Sequence, residues 1–101
     1  MPLAIRLRGP HACPVIVCDH CGEVIEHASE GNYQWQHPSE ESAIAPMVFT
    51  HKACCRPFEH AHGGRPAWSA IPLEALPVYL VRNLGLTWKK ATRTAALMSS
   101  V

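Results

Sequence analysis

Cys18, Cys21, His51 and Cys54 carry the strongest chemical signal in this chain. They are arranged as Cys-x2-Cys, a gap of 29 residues, then His-x2-Cys. Three thiolates and one imidazole make the tetrahedral donor set that zinc takes in structural sites. A two-residue gap within each pair lets both side chains of one turn face the same ion. Cys55 adjoins Cys54, and only one of the two easily faces an ion. The His-x2-Cys spacing favours Cys54 and makes Cys55 a small core residue, with Cys55 and Cys13 as the alternatives. A strand between Cys13 and Cys18 would carry Cys13 away from the ion. His20 lies inside the first turn and is expected to face solvent, and His11, His27, His37, His60 and His62 read as surface histidines.

Other chemistries fit these residues less well. A redox Cys-x2-Cys needs a βαβ context that the flanking sequence lacks. A catalytic zinc keeps one position open for water, and four protein ligands close it. His37-Pro38-Ser39-Glu40 has the wrong spacing for a nucleobase deaminase and follows the cysteine pair instead of preceding it. There is no His-Glu-x2-His, no Gly-x-Ser-x-Gly and no phosphate-binding glycine loop. The expectation is therefore a structural Zn2+ in a chain that is not an enzyme.

The ligands must be held by short elements. Leu3, Ile5 and Leu7 alternate with Ala4, Arg6 and Arg8, which predicts a half-buried strand ended by Gly9-Pro10. Val15-Ile16-Val17 predicts a strand leading into the tight turn Cys18–Gly22, with Val24-Ile25 as the returning arm. Gly31-Asn32 reads as a turn, Tyr33-Gln34-Trp35 as a short strand and 36–46 as a polar loop. Met47–Thr50 predicts the strand that delivers His51. A helix is expected from about Ala53 or Cys54, because Pro57 fits only a first turn.

The last third reads as two helices. Ser69 is a candidate cap with Pro72 in the first turn. Leu73, Leu76, Leu80 and Leu84 recur at helical spacing, which predicts one buried face. Pro77 delays that helix, leaving Val78–Leu84 as its best part, and Gly85 stops it. Thr87 then caps a second helix from Trp88 to about Met98. The fold class expected is α+β: a small zinc-stapled β-hairpin module, treble clef or zinc ribbon, with a C-terminal helical hairpin. The boundaries expected are 1–62 for the metal module, 63–70 for a linker and 71–101 for the hairpin, packed on the module or on a partner.

Composition bounds the rest. The chain has 101 residues, 48% hydrophobic and 17% charged, which suits one small globular domain and excludes a disordered one. A core this small gains from a metal staple. No apolar run reaches the ~20 residues of a membrane span. The N-terminal sequence lacks a signal-peptide pattern, so a reducing cytoplasmic setting is expected, where clustered cysteines bind metal before they form disulfides. An odd count of five cysteines agrees.

The net charge of +1 is unevenly spread. Residues 18–60 carry −5, with seven acids against Lys52 and Arg56, while residues 61–101 carry +4. Any phosphate contact is therefore expected at the ends of the chain.

Cys18–Cys21 followed by His51–Cys54 resembles the treble-clef zinc fingers. It is similar to the LIM half-site, and more so to the poly(ADP-ribose) polymerase type finger, which also has a long central gap. The resemblance spans about 18–60 and includes Val24-Ile25 after the first pair and Phe49 just before the histidine. It implies a structural zinc, with DNA-end recognition in the polymerase type and protein binding in LIM modules. The −5 charge of the finger region departs from the DNA-binding pattern, since phosphate recognition needs lysine and arginine. Pro57 departs from a long helix after the second pair, which leaves a zinc ribbon open.

Leu84-Gly85-Leu86-Thr87 looks like the turn of a helix-turn-helix, with Arg82, Lys89, Lys90 and Arg93 placed for phosphate contact. The segment is too short for a full three-helix DNA-binding domain. A leucine-rich pair packing on the metal module, on another protein or on a second copy is the favoured expectation. The functional expectation is a protein-interaction or regulatory module; the alternative is a nucleic-acid-binding regulator using the basic helix pair. No membrane partner is expected.

Overall fold

A computed structural model describes residues 3–36, 44–63 and 68–99. Within them the fold is mixed α+β, with two small antiparallel sheets and three α-helices. The first sheet is a hairpin of β1 (Leu3–Arg8) and β2 (His11–Ile16), joined at Gly9-Pro10. Gly9 takes φ +60°, a left-handed conformation that suits a two-residue hairpin turn.

After β2 the chain enters the cysteine turn. Val17 and Val24 pair across it as an isolated bridge, so Val24-Ile25 is the returning arm that the sequence predicts. A short 3-10 turn, Ala28–Glu30, follows. The second sheet has the order β4-β3-β5, with β3 (Gly31–Gln36) central between β4 (Met47–His51) and β5 (Trp68–Pro72), both antiparallel to it. A 3-10 turn, Lys52–Cys54, leads into α1 (Cys55–Ala61), and Pro57 sits in its first turn as expected.

Two sequence expectations are corrected in this region. Gly31-Asn32 is not a turn but the start of β3. A Cβ on Gly31 would stand 2.9 Å from Ile25 Cγ2 and 3.1 Å from Leu73 Cδ2, so glycine is there to let two core side chains approach the backbone. Trp68–Pro72 is a strand and not the start of a helix. Trp68, Ser69 and Ala70, expected in a linker, pair with Gln36, Trp35 and Gln34. Period-2 residues in a short run next to proline are ambiguous between strand and cap, and pairing with β3 decides the matter. Residues 37–43 of the expected polar loop and 64–67 of the expected linker lie outside the described residues.

The core sits between the second sheet and the cysteine turn. Cys18, Ile25, Tyr33, Phe49 and Leu73 are buried together, with Ile16, Trp35, Cys54, Ile71 and Leu76 packed around them. Beside it lies a buried polar chain. Thr50 Oγ1 donates to Gln34 Oε1 at 2.6 Å, Gln34 Nε2 reaches Glu59 Oε2 at 3.5 Å, and the Cys55 thiol reaches the same oxygen at 3.6 Å. Gln34 and Thr50 are fully buried, and Glu59 nearly so. The end of α1 is held by Phe58, which stacks on His62 and meets Trp68 edge-on.

A third 3-10 turn, Leu73–Ala75, opens into α2 (Leu76–Asn83), with Pro77 in its first turn. Gly85 at φ +63° ends it. The Gly85 amide donates to Arg82 O and the Leu86 amide to Val81 O, the paired bonds of a Schellman cap. α3 runs Trp88–Ser99, its first full turn closed by Ala91 N–H onto Thr87 O. The single buried leucine face is only half present. Leu73 is buried and Leu76 packs partly buried against the core, but Leu80 and Leu84 are exposed. The expected half-burial of Leu3, Ile5 and Leu7 also fails: all three lie on the exposed face of the hairpin. No described helix is long and apolar enough to cross a membrane.

Candidate metal centre

Two elements bring the four residues together. The cysteine turn is closed by Gly22 N–H onto Cys18 O and by Cys18 N–H onto Glu23 O. Gly22 adopts φ +78°, which a residue with a Cβ takes only at a cost, so the tightness of this turn depends on it. Asp19 then clamps the turn to β4. Its amide donates to Phe49 O at 2.7 Å, and its Oδ2 accepts the Phe49 amide at 2.9 Å. That reciprocal pair sets the turn opposite the end of β4, where His51 stands. Cys54 follows one 3-10 turn later, at the entrance of α1.

The ligand atoms of Cys18, Cys21, His51 and Cys54 all lie within 4.8 Å of one another. A tetrahedron with metal–sulfur and metal–nitrogen bonds of about 2.3 and 2.0 Å has edges of roughly 3.5–3.8 Å. His51 Nδ1 lies 3.4 Å from Cys21 Sγ, close to such an edge. The other ring nitrogen, Nε2, lies 3.3 Å from Val24 O. A histidine that ligates a metal through one nitrogen commonly gives its other N–H to a backbone carbonyl, which fixes tautomer and ring orientation. Val24, the returning arm of the cysteine turn, supplies that carbonyl. The donor set and its geometry suit a single metal ion.

Electrostatics follow from the backbone. Burial works to raise the Cys18 thiol, but the amides of Cys21, His51 and His20 point at its sulfur and bring it down to about 6. The His51 amide stands 3.4 Å from that sulfur. Cys54 moves the other way, to about 11, because it is desolvated and faces the sulfurs of Cys18 and Cys21. Sulfurs this close repel as thiolates, and a divalent cation among them relieves the repulsion.

The neighbouring cysteines stand apart from the cluster. Cys55 is buried and directs its thiol to Glu59, as its core assignment requires. Cys13 lies in β2, part-buried. His11, His20, His27, His60 and His62 are exposed by residue, and His37 lies outside the described residues. His62 nevertheless has a structural part, its Nδ1 lying 2.9 Å from Phe58 O. Arg82, in the last turn of α2, and Lys89, Lys90 and Arg93, in α3, are all exposed.

Sequence reasoning overlooked Asp19 and the Val24 carbonyl, the groups that aim the turn and the imidazole. An acid directly after the first ligand was the available signal for Asp19; a backbone carbonyl leaves none. No family model, curated relative or solved structure matches the chain.

Proposed function

We propose that this chain is a small structural-zinc protein that works as a protein-interaction or regulatory module. Zinc is the ion best suited to three thiolates and one imidazole in a closed tetrahedral site. The order of cysteine turn, β3–β4 hairpin, then ligand at the entrance of α1 supports a treble-clef reading over a zinc ribbon. Four protein ligands leave no position for a metal-bound water, which supports a non-catalytic role.

The observation that carries the interaction reading is the surface of α2 and α3. Val78, Tyr79, Leu80, Leu84, Leu86, Trp88, Leu97 and Met98 are all exposed. Val78, Val81 and Trp88 line one apolar cleft between the helices, rimmed by Arg82. Apolar side chains gathered in one place mark a contact surface more often than scattered ones do. The experiment is affinity capture from lysate with the wild-type chain and with Leu84→Lys and Trp88→Ala variants. Proteins retained by the wild type and lost from both variants support the reading; identical capture by all three removes it.

One observation favours a second reading, a nucleic-acid-binding regulator. From Leu76 to Ser99 the chain carries Arg82, Lys89, Lys90 and Arg93 and no acid. Lys89 and Arg93 are four apart and share a face of α3, opposite Trp88, Ala91, Ala95 and Met98. Duplex binding that weakens steeply with salt, and whose salt slope falls in Lys89→Ala and Arg93→Ala, supports it. Absent or salt-independent binding excludes it.

A further inference from the structure

The hairpin at the start of the chain has an open edge. Among the described residues β1 has one strand neighbour, β2. The register sets Leu3 opposite Ile16, Ile5 opposite Pro14 and Leu7 opposite Ala12. In an antiparallel ladder, opposed residues alternately share their backbone bonds or point them away from each other. Two observations fix which kind these are. The Ile16 carbonyl accepts the Ile25 amide at 2.8 Å, on the side away from β1. Pro14 has no N–H to give to Ile5. Leu3, Ile5 and Leu7 therefore direct their N–H and C=O groups outward, along the free edge. The three residues are 61%, 63% and 74% exposed. The sequence alternates as a strand with a covered face, yet nothing in the described chain covers it.

We propose that this edge pairs with β1 of a second copy of the chain, antiparallel and centred on Ile5, to form a symmetric dimer with a continuous four-stranded sheet. The register is self-complementary. Ile5 meets Ile5 of the second copy, and Leu3 meets Leu7 in both directions, so all three outward residues of each copy bond within the pair. Arg6 then faces Ala4. A register one residue later would set Arg6 against Arg6, and one residue earlier would leave Leu7 beyond the paired strand. The charges are compatible as well. Arg6 holds Glu26 of its own chain at 2.6 Å and Arg8 lies 3.9 Å from the same carboxylate, so one of the two arginine charges on each β1 edge is already compensated.

Edge pairing turns a hairpin, marginal by itself, into a sheet of stable width. It also removes the unpaired backbone edge that otherwise invites uncontrolled association. The contact is smaller than the ~800 Å² per partner of a standard interface, so the dimer is a weak one that forms at high concentration. The inference does not rest on the function proposed for α2 and α3.

Sedimentation of the full chain from low-micromolar to near-millimolar concentration tests it. The mass is expected to rise from one chain to two and stop there, because a two-fold pair uses up both edges. Ile5→Lys, at an exposed position, is expected to hold the chain monomeric, while Leu84→Lys on α2 leaves the dimer intact. Amide exchange on the wild type gives a readout that needs no variant: the Leu3, Ile5 and Leu7 amides gain protection as concentration rises. A monomer throughout, open-ended growth, a dimer that survives Ile5→Lys or is lost in Leu84→Lys, or edge amides with no concentration-dependent protection would each overturn the proposal.

Discussion

His51 Nδ1 stands 3.4 Å from Cys21 Sγ, while its Nε2 faces the carbonyl of Val24 at 3.3 Å. The ring is thus turned so that one nitrogen looks into the sulfur cluster and the other is anchored on the returning arm of the cysteine turn. This orientation ties the two halves of the site together, although 29 residues separate them. Much of the small core depends on the same junction, because Cys18 and Cys54 pack with Ile25, Tyr33, Phe49 and Leu73.

The adjacent cysteines should separate cleanly on mutation. Cys54→Ser is expected to lose the metal and the compact fold, since structural zinc in small fingers supplies on the order of 10 kcal/mol of folding free energy. Cys55→Ser should keep one metal per chain, because Cys55 packs on Glu59 and not on the cluster. Elemental analysis of both variants checks this, and metal loss from Cys55→Ser would count against the ligand assignment.

Metal affinity should depend on pH. With its thiol pushed up to about 11 by desolvation and by the neighbouring sulfurs, Cys54 holds its proton at neutral pH and must release it on binding. Each released proton makes the affinity rise about tenfold per pH unit, so at least that slope is expected from pH 6 to 8. The direction is weaker binding as pH falls. Competition with a chromophoric chelator measures it, and a flat profile would argue against thiolate ligation.

The clustering of Cys18, Cys21, His51 and Cys54, the cysteine turn with its return, the strand delivering His51 and the two C-terminal helices were legible in the sequence, because each rests on local rules of spacing, proline and glycine. What the sequence could not show is set by tertiary pairing. Trp68–Pro72 becomes a strand because β3 offers an edge to it. Gly31 resembles a turn residue, yet it is needed for the approach of Ile25 and Leu73, neither of which is near it in sequence terms that predict contact. The leucines at 80 and 84 keep helical period, but periodicity does not say whether another element covers the face. Val24 acts through its backbone carbonyl, which composition does not encode, and the carboxylate of Asp19 acts on the Phe49 amide 30 residues away, a partner that the sequence does not name.

The buried polar chain gives a stability test independent of the metal. Thr50→Val removes the donor to Gln34 Oε1 and leaves that oxygen buried. The expected loss is about 1–3 kcal/mol in denaturant unfolding of the metal-bound protein. A neutral or stabilising result would mean that water reaches the Gln34 amide.

Gly31→Ala should destabilise through crowding. Its backbone φ of −125° suits any residue, so the cost comes from pushing Ile25 and Leu73 aside. Overpacking of this kind costs roughly 1–3 kcal/mol. Thermal unfolding reads it directly, and an unchanged midpoint would show that the two side chains yield freely.

The most direct test of the central claim is zinc content per chain, read with the fold before and after chelation by amide NMR spectra. One zinc per chain, and collapse of the dispersed spectrum when it is removed, is the expected result. A chain with no zinc, or one that gives up its zinc with the spectrum unchanged, would contradict the reading of Cys18, Cys21, His51 and Cys54 as the staple of this fold.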